Sequence, residues 1–410
     1  MTAAINTDDV FIQMTQTSEG RNDPYPLYQQ LHEHAAPIFQ IAGTKYYAVR
    51  AYQECNEVLR DARMGVGART VGDASMDRER SKYGTFITDP AALINLDPPQ
   101  HTRLRKLVSK AFTSRQVDRM RVNTEAIADG LLDQFGSGDV IDVIADLSTP
   151  LPVAVVGKLL NVPQADWMLF APLMVDAVAG ASPWASVDQL WAAYEASEKM
   201  RAYFVDFVAE RRAHPIDEDL LTAILRAEDG GERLDEEEVN LLVLTLFVAA
   251  FSTTAHLIGN GLSALLHNQD QLQIMVEDPS VTGSAVEEFL RFDPPVQVAA
   301  RSALEDLEIA GTPLPAGSQL TVLLAAGNRD PQRFTDPDRL DVRRNQGPPL
   351  SFGGGIHHCL GASLARQEGQ VFFQRLLSRF PKLTLAEEPQ RRDEIFAFRE
   401  LRSLPVRLAA

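Results

Sequence analysis

Cysteine is scarce in this chain: Cys55 and Cys359 are the two in 410 residues. So few, and so far apart, they exclude a disulfide-stapled secreted fold and fit a reducing compartment. Basic charge is short as well, because 39 Lys and Arg face 56 Asp and Glu for a formal net charge of -17. Neutralising phosphates needs a basic surface, so a nucleic-acid partner is excluded. The opening residues carry Asp8 and Asp9 and lack the basic-then-apolar order of an export signal. A cytoplasmic protein is therefore expected. There is no internal repeat, no low-complexity linker and no break in composition, so one domain over 1–410 is expected.

Long uncharged runs are nearly missing too. One exists, from 241 to 266, and it is long enough to span a bilayer. Its second half is crowded with Ser252, Thr253, Thr254, His256, Gly259, Asn260 and Gly261. A run interrupted in this way reads as a helix buried all round in a large protein. No membrane partner is expected.

What is present is helical periodicity. Helices are predicted over 25–34, 52–62, 101–112, 117–135, 152–160, 186–212 and 218–227. A long one follows from Asp235, where a run of acids suits the positive end of a helix dipole. A hairpin is predicted at 37–41 and 45–49 around Gly43, with later strands at 296–303, 307–309 and 319–323. The stretch 330–349, rich in Pro, Asp and Arg, reads as a long irregular loop, a kind usually functional or disordered. The fold class expected is mainly α with a small β region.

The most informative stretch runs from Phe352 through Gly353, Gly354, Gly355, Ile356, His357 and His358 to Cys359, Leu360, Gly361 and Ala362. Three glycines before a lone cysteine imply a tight turn or a close backbone approach. The residues after Gly361 read as a helix start, which sets the sulfur where N–H groups and the dipole lower a thiol pKa. A thiolate so placed suits a metal. Two other readings stay open: a buried core cysteine, or a nucleophile with His357 or His358 as base. Neighbours so close in sequence rarely have dyad geometry. A zinc site lacks ligands, since one Cys and two adjacent His are too few and poorly spaced.

In order and spacing, Phe352, Gly355, His357, Cys359 and Gly361 resemble the haem-binding signature of cytochromes P450. The resemblance implies a P450 fold and haem b, with Cys359 as the iron ligand. It extends to Glu288 and Arg291, three apart on one helix face, which with Arg339 resemble the family's Glu-Arg-Arg structural triad. It makes His101, Arg105, Arg301 and His357 the residues that hold the haem propionates. It makes Thr253 the hydroxyl that orders proton delivery to dioxygen. Two departures stand in that motif: Ala250 replaces a usual glycine, and Ser252 replaces a usual Asp or Glu. A hydroxyl passes a proton on but does not readily release one near neutral pH. Either water or another residue takes over that task, or oxygen activation is slower and leakier, or the substrate assists.

The implied activity is a monooxygenase, inserting one oxygen atom from dioxygen into a hydrophobic small molecule, such as a natural product of secondary metabolism. Electrons would come from NAD(P)H through a ferredoxin or flavodoxin and its reductase, with the chain a monomer. Ile94, Ala249, Val296 and Phe396 are the expected substrate-pocket residues by family position. Arg103, Lys106 and Lys110 lie opposite His101 and Arg105 on their helix, so a solvent-facing basic strip for an acidic redox partner is expected. The competing readings are a haem-thiolate enzyme that bypasses dioxygen and a catalytically silent binding module.

Overall fold

The uncharged run becomes the axis of the molecule. Asp235 caps it by accepting from the Glu238 N–H, while Glu238 reaches back to the Asp235 N–H, so two orphan donors are satisfied reciprocally. One unbroken helix, Glu236–His267, follows. By length and composition it could cross a membrane, yet most of its apolar stretch is buried inside the fold. Its first half, through Val243, Leu244 and Phe247, joins a cluster with Phe170, Phe204 and Val153. Its second half, through Leu257, Ile258 and Leu262, joins another with Phe289, Phe373 and Leu151. This is the all-round burial expected.

The computed structural model describes residues 6–41, 44–66, 84–86, 88–112, 114–180, 185–217, 219–393 and 395–410. Helices dominate them. Val187–Ala213, started by a Ser186–Gln189 capping box, packs on Phe170–Ala179. The helix after the cysteine, Ala362–Arg379, packs on Ser114–Leu132 and on Thr282–Phe292. The main sheet has five strands in the order Ile38–Gln40, Tyr46–Val49, Gln319–Leu323, Val298–Ala303 and Met64–Gly65. Tyr46–Val49 runs parallel to Gln319–Leu323, and the other pairings are antiparallel. The expected hairpin is present, Ile38 opposite Val49. Its turn at Gly43, like Glu218 at the start of another expected helix, lies outside the described residues.

Some elements went unpredicted. The helix Thr7–Gln16 begins at Asn6, whose side chain caps Asp8. Strands near the C-terminus, among them Gln390–Arg392, Glu400–Ser403 and Pro405–Arg407, are three or four residues long, too short for alternation to show. The expected loop is irregular throughout, with no helix or strand from 328 to 354. It is nonetheless fastened: Asn328 accepts from the Leu350 N–H at 2.7 Å and donates to the Ser351 hydroxyl at 2.9 Å.

Candidate active site

The cysteine loop rests on the helix Tyr52–Arg60. Gly353 and Gly355 have positive φ, 67° and 65°. A Cβ on Gly355 would lie 2.5 Å from the Leu59 carbonyl oxygen and 3.0 Å from Arg60 Cα, so glycine alone lets the loop lie this close. The Cys359 N–H donates to the Phe352 carbonyl at 2.9 Å and closes the turn. The Arg366 guanidinium sits 4.4 Å over the Phe352 ring and holds that end. Gly361 is the N-cap of Ala362–Arg379, so the sulfur does sit at a helix N-terminus.

Cys359 is an exposed residue, although protein surrounds its thiol closely enough that desolvation dominates its titration. Burial pushes the free thiol up, against the pull of the Gly361 and Ala362 N–H groups and of Arg105 and Arg366. This corrects the expectation of a lowered thiol: the helix N-terminus acts in the expected direction, and desolvation outweighs it. Exposure rules out the core reading for Cys359. Cys55 takes that role instead, fully buried with its thiol donating to the Val49 carbonyl at 3.3 Å. Among the described residues no group of three or more His, Cys, Asp or Glu is arranged to hold a metal, so a many-ligand zinc site is absent there.

Beside the loop runs the helix Gln100–Ala111. His101 on it is 2% exposed, and neither ring nitrogen has a hydrogen-bond partner. Its ring meets that of His357, centroids 4.3 Å apart. Arg105, one turn on, donates to the His358 carbonyl at 2.7 Å, and burial lowers its pKa while the nearby Cys359 raises it. His101, Arg105, His357 and Cys359 thus converge. An imidazole buried with both nitrogens unsatisfied is costly unless something polar occupies the space beside it. Arg301 is buried in the main sheet, paired across to Leu320.

The central helix contributes a stripe of its own. Ala249 is exposed amid buried neighbours, and Ala250, Ser252 and Thr253 are half-buried, so this turn fronts open space. The helix passes Ala250 without a break. The Thr253 hydroxyl donates to the Ala249 carbonyl at 2.9 Å. Ser252 donates to Glu400 Oε1 at 3.1 Å. His256, one turn on, brings Nε2 to 3.5 Å from that same oxygen, and Arg392 comes to 3.9 Å from Oε2. Neither Glu400 nor His256 was expected at the site.

Of the expected pocket residues, Ile94 is exposed in the turn Leu93–Asn95 and Val296 is half-buried, bridged to Phe398. Phe396 is a correction. It is buried in a cluster with Met14, Tyr28 and Phe39, which the unpredicted N-terminal helix completes. It is core.

The triad needs a second correction. Glu288, buried, accepts from Arg291 Nε at 2.7 Å and Nη2 at 2.8 Å. The second guanidinium on it belongs to Arg344, whose Nε lies 3.1 Å from both carboxylate oxygens. Arg339 is exposed and offers its carbonyl alone, to Arg291 and Arg344. The loop turns after Arg339, and Arg344 is the residue it turns inward. The basic strip faces outward as expected, but acids partner its charges. Lys106 and Lys110 both pair with Asp229, at 2.5 and 2.7 Å, and Arg103 pairs with Glu238. Acids at the start of the central helix and just before it take up the charge that helical geometry alone left free.

The comparisons agree with this geometry. The Cytochrome P450 family profile matches residues 182–401. Vitamin D(3) 25-hydroxylase of Pseudonocardia autotrophica is 40% identical over 372 residues, covering 89% of this chain and 88% of its own. The 6-deoxyerythronolide B hydroxylase of Saccharopolyspora erythraea is 35% identical over 406 residues, covering 94% and 96%. Among solved structures, P450BioI in complex with a hexadec-9Z-enoic acid ligated acyl carrier protein superposes with a TM-score of 0.87 at 34% identity, covering 95% of this chain and 99% of that one. With the fold, the cysteine loop and near full-length likeness to named hydroxylases in agreement, the chain belongs to the cytochrome P450 family of monooxygenases.

Proposed function

We propose that the chain is a haem b monooxygenase that inserts one atom of dioxygen into a hydrophobic small molecule, a natural product or its precursor. The observation that carries this is Cys359, exposed at the N-terminus of Ala362–Arg379, with the buried His101 imidazole, neither nitrogen hydrogen-bonded, nearby. The donor set fits the group. The Cys359 thiolate would hold the haem iron, and the Gly361 and Ala362 N–H groups would tune its electron density. A Cβ on Gly361 would meet nothing within 4 Å, so space is open there. His101, Arg105, Arg301 and His357 would pair with the two propionates through charge-assisted hydrogen bonds. Phe352 shields the loop, and Glu288, Arg291 and Arg344 hold the chain that leads into it.

Bound haem supplies the redox and dioxygen chemistry. The chain's own residues position and protonate. Thr253, on the stripe that faces open space, orders the delivery of protons. Ile94, Ala249 and Val296 line the substrate side and exclude water with apolar surface. Two electrons per turnover come from NAD(P)H through a ferredoxin or flavodoxin and its reductase. The chain acts as a single-domain monomer in the cytoplasm. Support for a hydrophobic substrate comes from those apolar residues and from relatives named for vitamin D(3) and 6-deoxyerythronolide B. The test is turnover under isotopically labelled dioxygen with candidate macrolides, sterols and fatty acids. One labelled oxygen atom per product is expected, and product that carries oxygen from water or peroxide instead would refute the reading.

A further inference from the structure

The central helix lacks a carboxylate where proton delivery needs a titratable group, and the fold brings one to it. We infer that Glu400 is the acid of the proton relay, joined to the oxygen site through Ser252 and set in place by His256. The inference rests on the monooxygenase reading. That reaction takes RH, O2, two protons and two electrons to ROH and H2O, so two protons must enter from solvent for each turnover.

Ser252 and His256 are four apart on one helix face, and both reach the same oxygen of Glu400, at 3.1 and 3.5 Å. Glu400 belongs to the strand Glu400–Ser403, whose Leu401 packs near Gly259 of the central helix, so the strand and helix fix the carboxyl laterally. The Glu400 side chain is 12% exposed, enclosed yet within reach of water. Ser252 is both donor and acceptor. It can take a proton from the Glu400 carboxyl and give its own toward Thr253, its neighbour on the stripe that faces open space. Glu400, left as carboxylate, is reprotonated from solvent.

The groups facing Glu400 suit this duty. From the central helix come Ser252 and His256; from the neighbouring strand Gln390–Arg392 comes Arg392 at 3.9 Å, with Arg391 acting on His256 from beyond. His256 is buried, and desolvation lowers its pKa despite Glu400, so the imidazole is neutral at physiological pH. Its Nδ1 has no partner. A neutral imidazole orients the carboxyl through one oxygen, while Arg392 stands at the far edge of ion-pair distance from the other.

The test replaces Glu400 by Gln, which keeps a hydrogen-bonding oxygen for Ser252 and removes the acid. The first readout needs no turnover. In histidine-labelled protein followed by NMR, with His256→Asn identifying the resonance, the His256 titration moves to lower pH when the negative charge is lost. The second readout is product per NAD(P)H, expected to fall about a hundredfold, the low side of what a positioned acid supplies, with peroxide rising to match. Adding Ser252→Asp to Glu400→Gln restores coupling by putting the acid back on the helix. Should Glu400→Gln fail to accumulate, Glu400→Asp, which keeps the charge but withdraws the carboxyl by one methylene, is read by coupling alone, and the His256 titration is not a readout for it. Unchanged coupling, or an unmoved His256 titration, overturns the relay. Failure of the wild type to incorporate oxygen from dioxygen is a different result and sinks the monooxygenase reading instead.

Discussion

Replacing Arg344 by Ala removes a guanidinium that is 8% exposed and sits on a carboxylate 1% exposed. Five acceptors lose a donor: Glu288, the Thr335 carbonyl at 2.6 Å, the Asp336 carbonyl at 3.2 Å, the Arg339 carbonyl at 3.0 Å and Gln346 Oε1 at 2.8 Å. Removing one partner of a buried ion pair costs about 3–5 kcal/mol, because the other charge is left buried. Glu288 keeps the bidentate Arg291 and the Asp341 N–H at 2.9 Å, which places the cost at the lower end, about 3 kcal/mol. Arg339→Ala is the control. That side chain is exposed and its carbonyl survives the change, so about 0.5 kcal/mol or less is expected. Urea unfolding followed by tryptophan fluorescence separates the two. With a slope of about 3 kcal/mol/M, Arg344→Ala lowers the midpoint by about 1 M while Arg339→Ala barely moves it. Equal losses for the two variants would refute the assignment of Arg344.

Gly355→Ala forces a side chain into positive φ and against the Leu59 carbonyl, so a loss of about 3 kcal/mol and weakened haem retention are expected from the same unfolding assay and from haem content. Glu368 is fully enclosed, one oxygen has no partner, and burial pushes its carboxyl well above the usual range. The folded state therefore binds the proton more tightly than the unfolded chain does. Stability falls as pH rises past the ordinary glutamate value of about 4.3, by about 1.4 kcal/mol per pH unit until the folded value is reached. Urea midpoints between about pH 5 and about pH 7 should flatten in Glu368→Gln. Phe396→Ala, as a core truncation, costs about 3–5 kcal/mol and leaves the pattern of bound substrates unchanged in titrations.

Much of the fold was legible because the signals were local. The acids after Asp235 suit a helix start, and the run that follows carries no formal charge, so the central helix could be read from its own residues. The cysteine loop was legible for the same reason: its glycines, His357 and Cys359 are contiguous. His101 and Arg105 share a face by helical spacing alone. What failed depends on contacts between distant segments. Arg339 and Arg344 look alike in sequence, and which one reaches Glu288 is decided by the turn of an irregular loop. Lys106 and Lys110 face outward as geometry requires, yet Asp229 comes back over them. Phe396 is core because a helix near the N-terminus packs there. Ser252 and Glu400 are 148 residues apart and meet across a helix and a short strand that periodicity does not register.

The central claim is that Cys359 carries the haem iron through its thiolate, and the carbon-monoxide difference spectrum of the reduced protein tests it most directly. Wild type is expected to give the red-shifted Soret band of carbonyl haem held by a thiolate. Cys359→Ala is expected to lose that band, and Cys55→Ala to keep it, since Cys55 is fully buried against Val49. A thiolate band that survives in Cys359→Ala, or is absent from the wild type loaded with haem, would contradict the account.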